Sequence, residues 1–124
     1  MVRVLKVLLL LALLSGCAFH ASPYVTYEND KHPLSDTAVL STMGMKGNVL
    51  AQLVSVDSKN MSCAQAGCPI WVRVLPGDHT FKFRLSIYEA TVTRQGEAEL
   101  IIKDMKPRHV YETNYVIEGN QFRV

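Results

Sequence analysis

Side chains that alternate between apolar and polar dominate this sequence after residue 36 and predict an all-β fold. In residues 79–88 the odd-numbered positions from 81 onward are apolar: Phe81, Phe83, Leu85 and Ile87. The positions between them are polar: Thr80, Lys82, Arg84 and Ser86. Successive side chains of a strand point to opposite faces, so this stretch predicts a strand with one buried and one solvated face. Outside residues 1–16 no long segment has the three-and-four spacing of an amphipathic helix, so we expect almost no helix.

The same period recurs in further segments, which we predict as strands: residues 37–41, 49–56, 70–75, 97–103, 110–117 and 122–124. About seven short strands, each with one wet face, predict a small antiparallel sandwich or a small open barrel. Residues 24–27 would add an edge strand. We therefore expect one β-sandwich domain over residues 36–124, preceded by a flexible tether over residues 17–35.

The first 16 residues have the pattern of a cleaved signal helix. A basic start precedes an apolar run, residues 7–14, that is too short for a bilayer core, which needs about 20 residues. The tetrad Leu14-Ser15-Gly16-Cys17 resembles the lipobox of bacterial lipoproteins. That resemblance implies cleavage before Cys17 and lipid on the cysteine. Ala18 stands where an aspartate would imply inner-membrane retention, so the resemblance implies the outer membrane, facing the periplasm.

The charge balance argues against long-range attraction to nucleic acid. The chain has 13 Lys and Arg residues against 11 Asp and Glu residues, but Arg3 and Lys6 would leave with the signal. The remaining chain therefore carries 11 groups of each sign and no net charge. A neutral domain lacks the basic surface that steers nucleic acids to a protein.

Two cysteines remain after Cys17, and we predict that Cys63 and Cys68 form a disulfide. In an exported protein a cysteine pair in one short segment is most often bonded. The redox motif of thioredoxin has two residues between its cysteines, whereas this pair has four, which favours a structural role. Closing so short a loop contributes about 2 kcal/mol.

Pro76 and Gly77 separate two predicted strands and favour a type II turn, because Pro fixes φ and Gly accepts positive φ. If these strands form a hairpin with a two-residue loop, Val72 lies opposite Phe81. Trp71 then lies opposite Lys82. This register gathers an aromatic side chain and three cations on the wet face: Trp71, Arg73, Lys82 and Arg84.

These four residues form a candidate docking patch for an anionic envelope partner. The interpretation we favour is an ordinary solvated strand face, with Trp71 shielded by the lysine stem in a cation–π contact of about 0.5 to 1 kcal/mol.

Two segments resemble a known family: Val56-Asp57-Ser58-Lys59 and the stretch from Val74 through Leu75-Pro76-Gly77-Asp78-His79 to Phe81. They resemble the strand, turn and "LPGxH" hairpin of small uncharacterised bacterial envelope lipoproteins, and more distantly PEGA-type domains. The resemblance spans residues 50–88. It implies a small β-sandwich module of a surface protein and no enzyme.

Residues that carry chemistry occur without a catalytic motif. The chain has no nucleophile elbow, zinc-protease motif or phosphate loop. His79 beside Asp78 offers a general base, but its place at a strand entry favours a hydrogen-bonding role in the turn. Glu97 and Glu99 share one strand face and offer a cation site or an acid and base pair. A solvated face that protects the sheet edge is the interpretation we favour.

We therefore expect a membrane-anchored lipoprotein whose non-enzymatic β-sandwich binds or scaffolds another envelope component, a protein or a glycan, without a cofactor. The alternative is a periplasmic copper-binding or metal-tolerance lipoprotein. Its soft ligands would be Met43, Met45, Met61 and His79. Scattered methionines are more often core residues.

Overall fold

A computed structural model of the chain describes residues 24–27, 31–42, 45–61, 63, 68–119 and 121–124. The predicted signal helix (residues 1–16), Cys17 and Met43 lie outside the described residues. Eleven strands occur in the described ranges. In chain order they are β1 (Tyr24–Val25), β2 (Ala38–Ser41), β3 (Met45–Lys46), β4 (Val49–Val56), β5 (Lys59–Asn60), β6 (Trp71–Val74), β7 (Gly77–Tyr88), β8 (Thr93–Met105), β9 (Val110–Glu112), β10 (Val116–Glu118) and β11 (Gln121–Arg123).

The all-β prediction is confirmed. Within the described ranges the only helical element is a 3₁₀ helix of three residues, Leu34–Asp36. The predicted strand over 49–56 matches β4 at both ends. The predicted strand over 110–117 is instead two strands, β9 and β10, because β9 stops where its neighbour β2 stops, at the pair Ser41 and Glu112.

The strands form two facing sheets and a terminal hairpin. The first sheet has the order β1-β6-β2-β9. The second sheet has the order β3-β4-β7-β8, with β5 paired to β4. Strands β10 and β11 form a separate two-stranded hairpin. Most neighbours are antiparallel, but β1 runs parallel to β6 and β9 runs parallel to β2.

The inner face of β7 divides the core into two clusters. Phe81 and Phe83, both fully buried, pack with side chains of the first sheet that include Val72 and Leu40. Leu85 and Ile87 lie further along β7 and pack beneath residues of the terminal hairpin, which include Ile117 and Phe122. Each large apolar side chain that is fully buried contributes about 1.5–3 kcal/mol. The apolar side chains of β7 therefore contribute to both core clusters.

The predicted hairpin between β6 and β7 is wrong. Val72 of β6 lies opposite Leu40 of β2 and Tyr24 of β1, whereas Phe81 of β7 lies opposite Val56 and Leu100. The connection at Pro76 and Gly77 thus crosses from the first sheet to the second. The physical reason is that two successive strands can bury their apolar faces in two ways. They can lie side by side in one sheet, or they can lie in two sheets whose apolar faces pack against each other. Gly77 has a φ of 131° at this crossover, a conformation that favours glycine.

The predicted edge strand over residues 24–27 is confirmed in part, because β1 pairs with β6 over two residues. Thr26 extends this pairing, since its amide donates to the carbonyl of Arg73 at 3.2 Å. The sandwich therefore includes Tyr24 and Val25, which lie inside the range predicted as tether.

Candidate functional site

The structure does not bring the four residues of the predicted docking patch together. Trp71 and Arg73 lie on the first sheet, where they alternate with the inward-facing Val72 and Val74. Lys82 and Arg84 lie on the second sheet and alternate with Phe81 and Phe83. Because the two sheets pack inner face to inner face, the two pairs lie on opposite outer faces of the sandwich.

Arg73 is a buried structural cation, only 7% exposed. Its Nε donates to Thr37 Oγ1 at 2.8 Å, and an Nη2 hydrogen bond goes to the carbonyl of His32. The guanidinium carbon lies 5.8 Å from the centroid of the Tyr27 ring, within cation–π range. These contacts attach the segment before β2 to the outer face of β6. No signal in the sequence distinguishes this arginine from a solvated one.

Lys82 and Arg84 belong to a charged row on the outer face of the second sheet. Lys82 Nζ lies 2.7 Å from Glu97 Oε2, and Arg84 is the strand partner of Glu97. The hydrogen bond from Lys82 holds the pKa of Glu97 below its usual value, and the positive charges of Lys82 and Arg84 act in the same direction. Glu97 is thus an ion-pair partner, which fits the solvated face and not an acid and base pair with Glu99.

A groove beside this row is the candidate site. One part of about 410 Å³ is lined by Val54, Ser55, Asn60, Met61, Cys63, Lys82, Arg84 and Glu97. An adjoining part of about 310 Å³ is lined by Ser55, Ser58, Asn60, Thr80, Lys82 and Glu99. The two parts share Ser55, Asn60 and Lys82, and we call them together the outer groove.

The shape of the outer groove follows from an irregularity in β4. The register between β4 and β7 shifts between Leu53 and Ser55, which is a β-bulge. A bulge re-aims side chains and increases the local twist, and bulges are common next to functional sites. Strand β5 pairs with Ser55 and Val56 beyond the bulge. The bulge therefore lies where β4 meets both β5 and the charged row.

The predicted disulfide between Cys63 and Cys68 is confirmed, with a Cα separation of 4.2 Å. Cys63 lines the outer groove, so the bond connects that groove to the chain leading into β6. Closing this short loop contributes about 2 kcal/mol by restricting the unfolded chain.

His79 is held on both ring nitrogens. Nδ1 lies 2.7 Å from Asp57 Oδ2, and Nε2 lies 2.7 Å from the carbonyl oxygen of Leu75. A carbonyl only accepts, so Nε2 carries a hydrogen. The neighbour proposed from the sequence, Asp78, instead contacts Lys103 Nζ and the amide of Asp104. In this arrangement neither nitrogen of His79 is open to a substrate or a metal.

The alternative copper ligands are only partly described. Met61 is buried in the core cluster, and His79 is engaged as above. Met43 and the side chain of Met45 lie outside the described residues. Within the part of the chain that is described, no three His, Cys, Asp or Glu side chains form a group that could hold a metal ion.

None of the helical structure among the described residues has the length and apolar character needed to cross a bilayer.

No family model, no curated protein and no solved structure matches this chain. The chemistry of the outer groove therefore rests on this chain's own side chains.

Proposed function

We propose that this chain is a bacterial lipoprotein, cleaved before Cys17 and lipidated there, whose non-enzymatic β-sandwich binds another envelope component in the outer groove. The observation that carries the binding role is the outer groove, where Lys82 and Arg84 lie beside Ser55 and Asn60. The tetrad ending in Cys17 supports the anchor.

The anchor would hold the sandwich near the membrane. Each methylene of the acyl chains that enters the bilayer contributes about 0.8 kcal/mol, so several chains hold a protein permanently. Cys17 and Tyr24 are seven residues apart, which an extended chain spans in about 23–25 Å. A sandwich that includes Tyr24 would thus stay within about one domain diameter of the bilayer surface.

The groove chemistry favours a polar ligand with negative charge. Arg84 offers a planar set of donors that matches carboxylate and phosphate oxygens. Ser55 and Asn60 add hydroxyl and amide groups, which can bind the hydroxyl or carbonyl groups of the same ligand. Lys82 already contacts Glu97 at 2.7 Å, so Arg84 is the residue we expect to meet the ligand directly.

Replacing Cys17 by Ser tests the anchor. Cells fed with labelled palmitate should label the natural chain and not Cys17→Ser, which should accumulate as an uncleaved precursor. Equal labelling of both chains would overturn the lipidation.

Replacing Arg84 by Ala tests the groove. Crosslinking in intact envelopes should recover a partner with the natural chain and about tenfold less of it with Arg84→Ala, the loss expected for one charged hydrogen bond. Arg123→Ala is the matched control, because Arg123 is an exposed arginine on the terminal hairpin, paired with Glu118. Equal recovery with both variants would remove the groove from the proposal.

A further inference from the structure

The direction of β1 shows where the segment from Cys17 reaches the sandwich. Strand β1 is parallel to β6, with Tyr24 opposite Val72 and Val25 opposite Arg73. The amino-terminal end of β1 therefore lies at the amino-terminal end of β6, where Trp71 is the first residue. An anchor attached before Tyr24 would therefore hold this end of the first sheet nearest to the membrane.

Exposed apolar side chains gather at the same end. Trp71 is 43% exposed, Ile70 is 49% exposed and Tyr24 is 39% exposed. The indole Nε1 of Trp71 donates to Ser41 Oγ at 3.2 Å, so its polar atom is satisfied within the protein. The indole thus combines a satisfied polar atom with an exposed apolar body. Tyr24 is the strand partner of the inward-facing Val72 and therefore lies on the other side of the sheet from Trp71. We call Ile70 and Trp71 the anchor-side cluster.

We infer that the anchor-side cluster docks on the headgroup region of the bilayer that holds Cys17. This inference rests on the proposed lipidation. Tryptophan is enriched at the membrane interface, where its amphipathic ring lies at the level of the headgroups. A connection of seven residues, which reaches at most about 25 Å, would keep the cluster at a high effective concentration near the bilayer, so a weak contact is enough to orient the domain.

Docking by this cluster would orient the outer groove away from the membrane. Trp71 lies on the outer face of the first sheet, whereas Lys82 and Arg84 lie on the outer face of the second. A partner in the periplasm would then reach the outer groove without competing with the bilayer.

Trp71 is itself the probe, because the chain contains one tryptophan. The chain is expressed in bacteria from Met1, so that the cell can lipidate Cys17, and is reconstituted into phosphatidylethanolamine and phosphatidylglycerol vesicles with or without brominated acyl chains. Since an interfacial indole contacts the upper acyl region, bromine should lower the Trp71 emission by about twofold. Ile70→Ser should reduce this quenching. Ile101→Ser should not, because Ile101 is 55% exposed but lies on the second sheet.

Flotation of the same vesicles separates the two proposals. Protein that floats with the vesicles without quenching of Trp71 would overturn the docking and leave the anchor in place. Protein that does not float would overturn the lipidation and the docking that rests on it. Equal effects of Ile70→Ser and Ile101→Ser would also overturn the docking.

Discussion

Asp57 and His79 join the turn after β4 to the start of β7 through a contact of 2.7 Å between Oδ2 and Nδ1. The other carboxylate oxygen, Oδ1, accepts from the amide of Thr80 at 2.9 Å, and the Asp57 amide donates to the Thr80 carbonyl at 2.8 Å. Asp57 and Ser58 have φ values of 48° and 65°, as in the type I′ turns that connect tight hairpins. One aspartate thus forms the turn and fastens it to the neighbouring strand.

Asp57→Ala should lower the free energy of unfolding by about 1–3 kcal/mol, because two donors lose their acceptor. Alanine also tolerates positive φ poorly, whereas asparagine adopts it readily. Asp57→Asn keeps an acceptor for the Thr80 amide and should therefore lose clearly less stability. Urea unfolding of both variants measures the difference. Equal losses would contradict this expectation, because they would show that neither the acceptor for Thr80 nor the tolerance of positive φ contributes to stability.

Arg73→Met should destabilise the fold by about 1.5–3 kcal/mol, the range for hydrogen bonds of a charged group. The change leaves Thr37 Oγ1 and the His32 carbonyl without the donor that Arg73 supplies. Amide hydrogen exchange should accelerate in residues 31–37, which the guanidinium attaches to β6. Arg84→Met is the control, since Arg84 is exposed, and it should leave this exchange unchanged. Unchanged exchange in Arg73→Met would contradict the structural role of Arg73.

Gly96→Ala should destabilise the terminal hairpin by about 1–3 kcal/mol through overpacking. A Cβ at position 96 would overlap the ring atoms Cε2 and Cδ2 of Phe122. Phe122→Leu removes that ring and should make the added methyl at position 96 less costly. A double-mutant cycle by thermal or urea unfolding measures this coupling. Additive losses would show that the ring and the glycine do not interact.

The pH dependence of stability should depend on Asp78. Hydrogen bonds from Lys103 and from the Asp104 amide hold the pKa of Asp78 below its usual value of 3.8. A carboxyl with a lowered folded pKa stabilises the fold above its unfolded pKa and loses that contribution as the pH falls through the folded value. Asp78→Asn should therefore flatten the loss of stability below pH 3.8, as measured by urea unfolding at successive pH values. An unchanged slope would contradict this linkage.

Local pattern predicted most of the longer strands and which of their faces are apolar. The alternation in residues 79–88 became the inner face of β7, and the predicted strand over 49–56 is β4 without change. The bonded cysteines were also predictable, because the two lie only five positions apart in the sequence. The position of a strand, its apolar face and this disulfide each depend on residues that are close together in the sequence.

The sequence by itself determined the all-β class, the apolar faces and the disulfide, whereas only the tertiary structure decided which faces meet. Alternation says that Val72 and Phe81 are buried, and it does not say whether they share a sheet or face each other. The burial of Arg73 likewise depends on Tyr27, His32 and Thr37, which reach it from distant positions in the chain. The physical reason is that apolar burial is not directional, so several arrangements of the same strands bury the same faces.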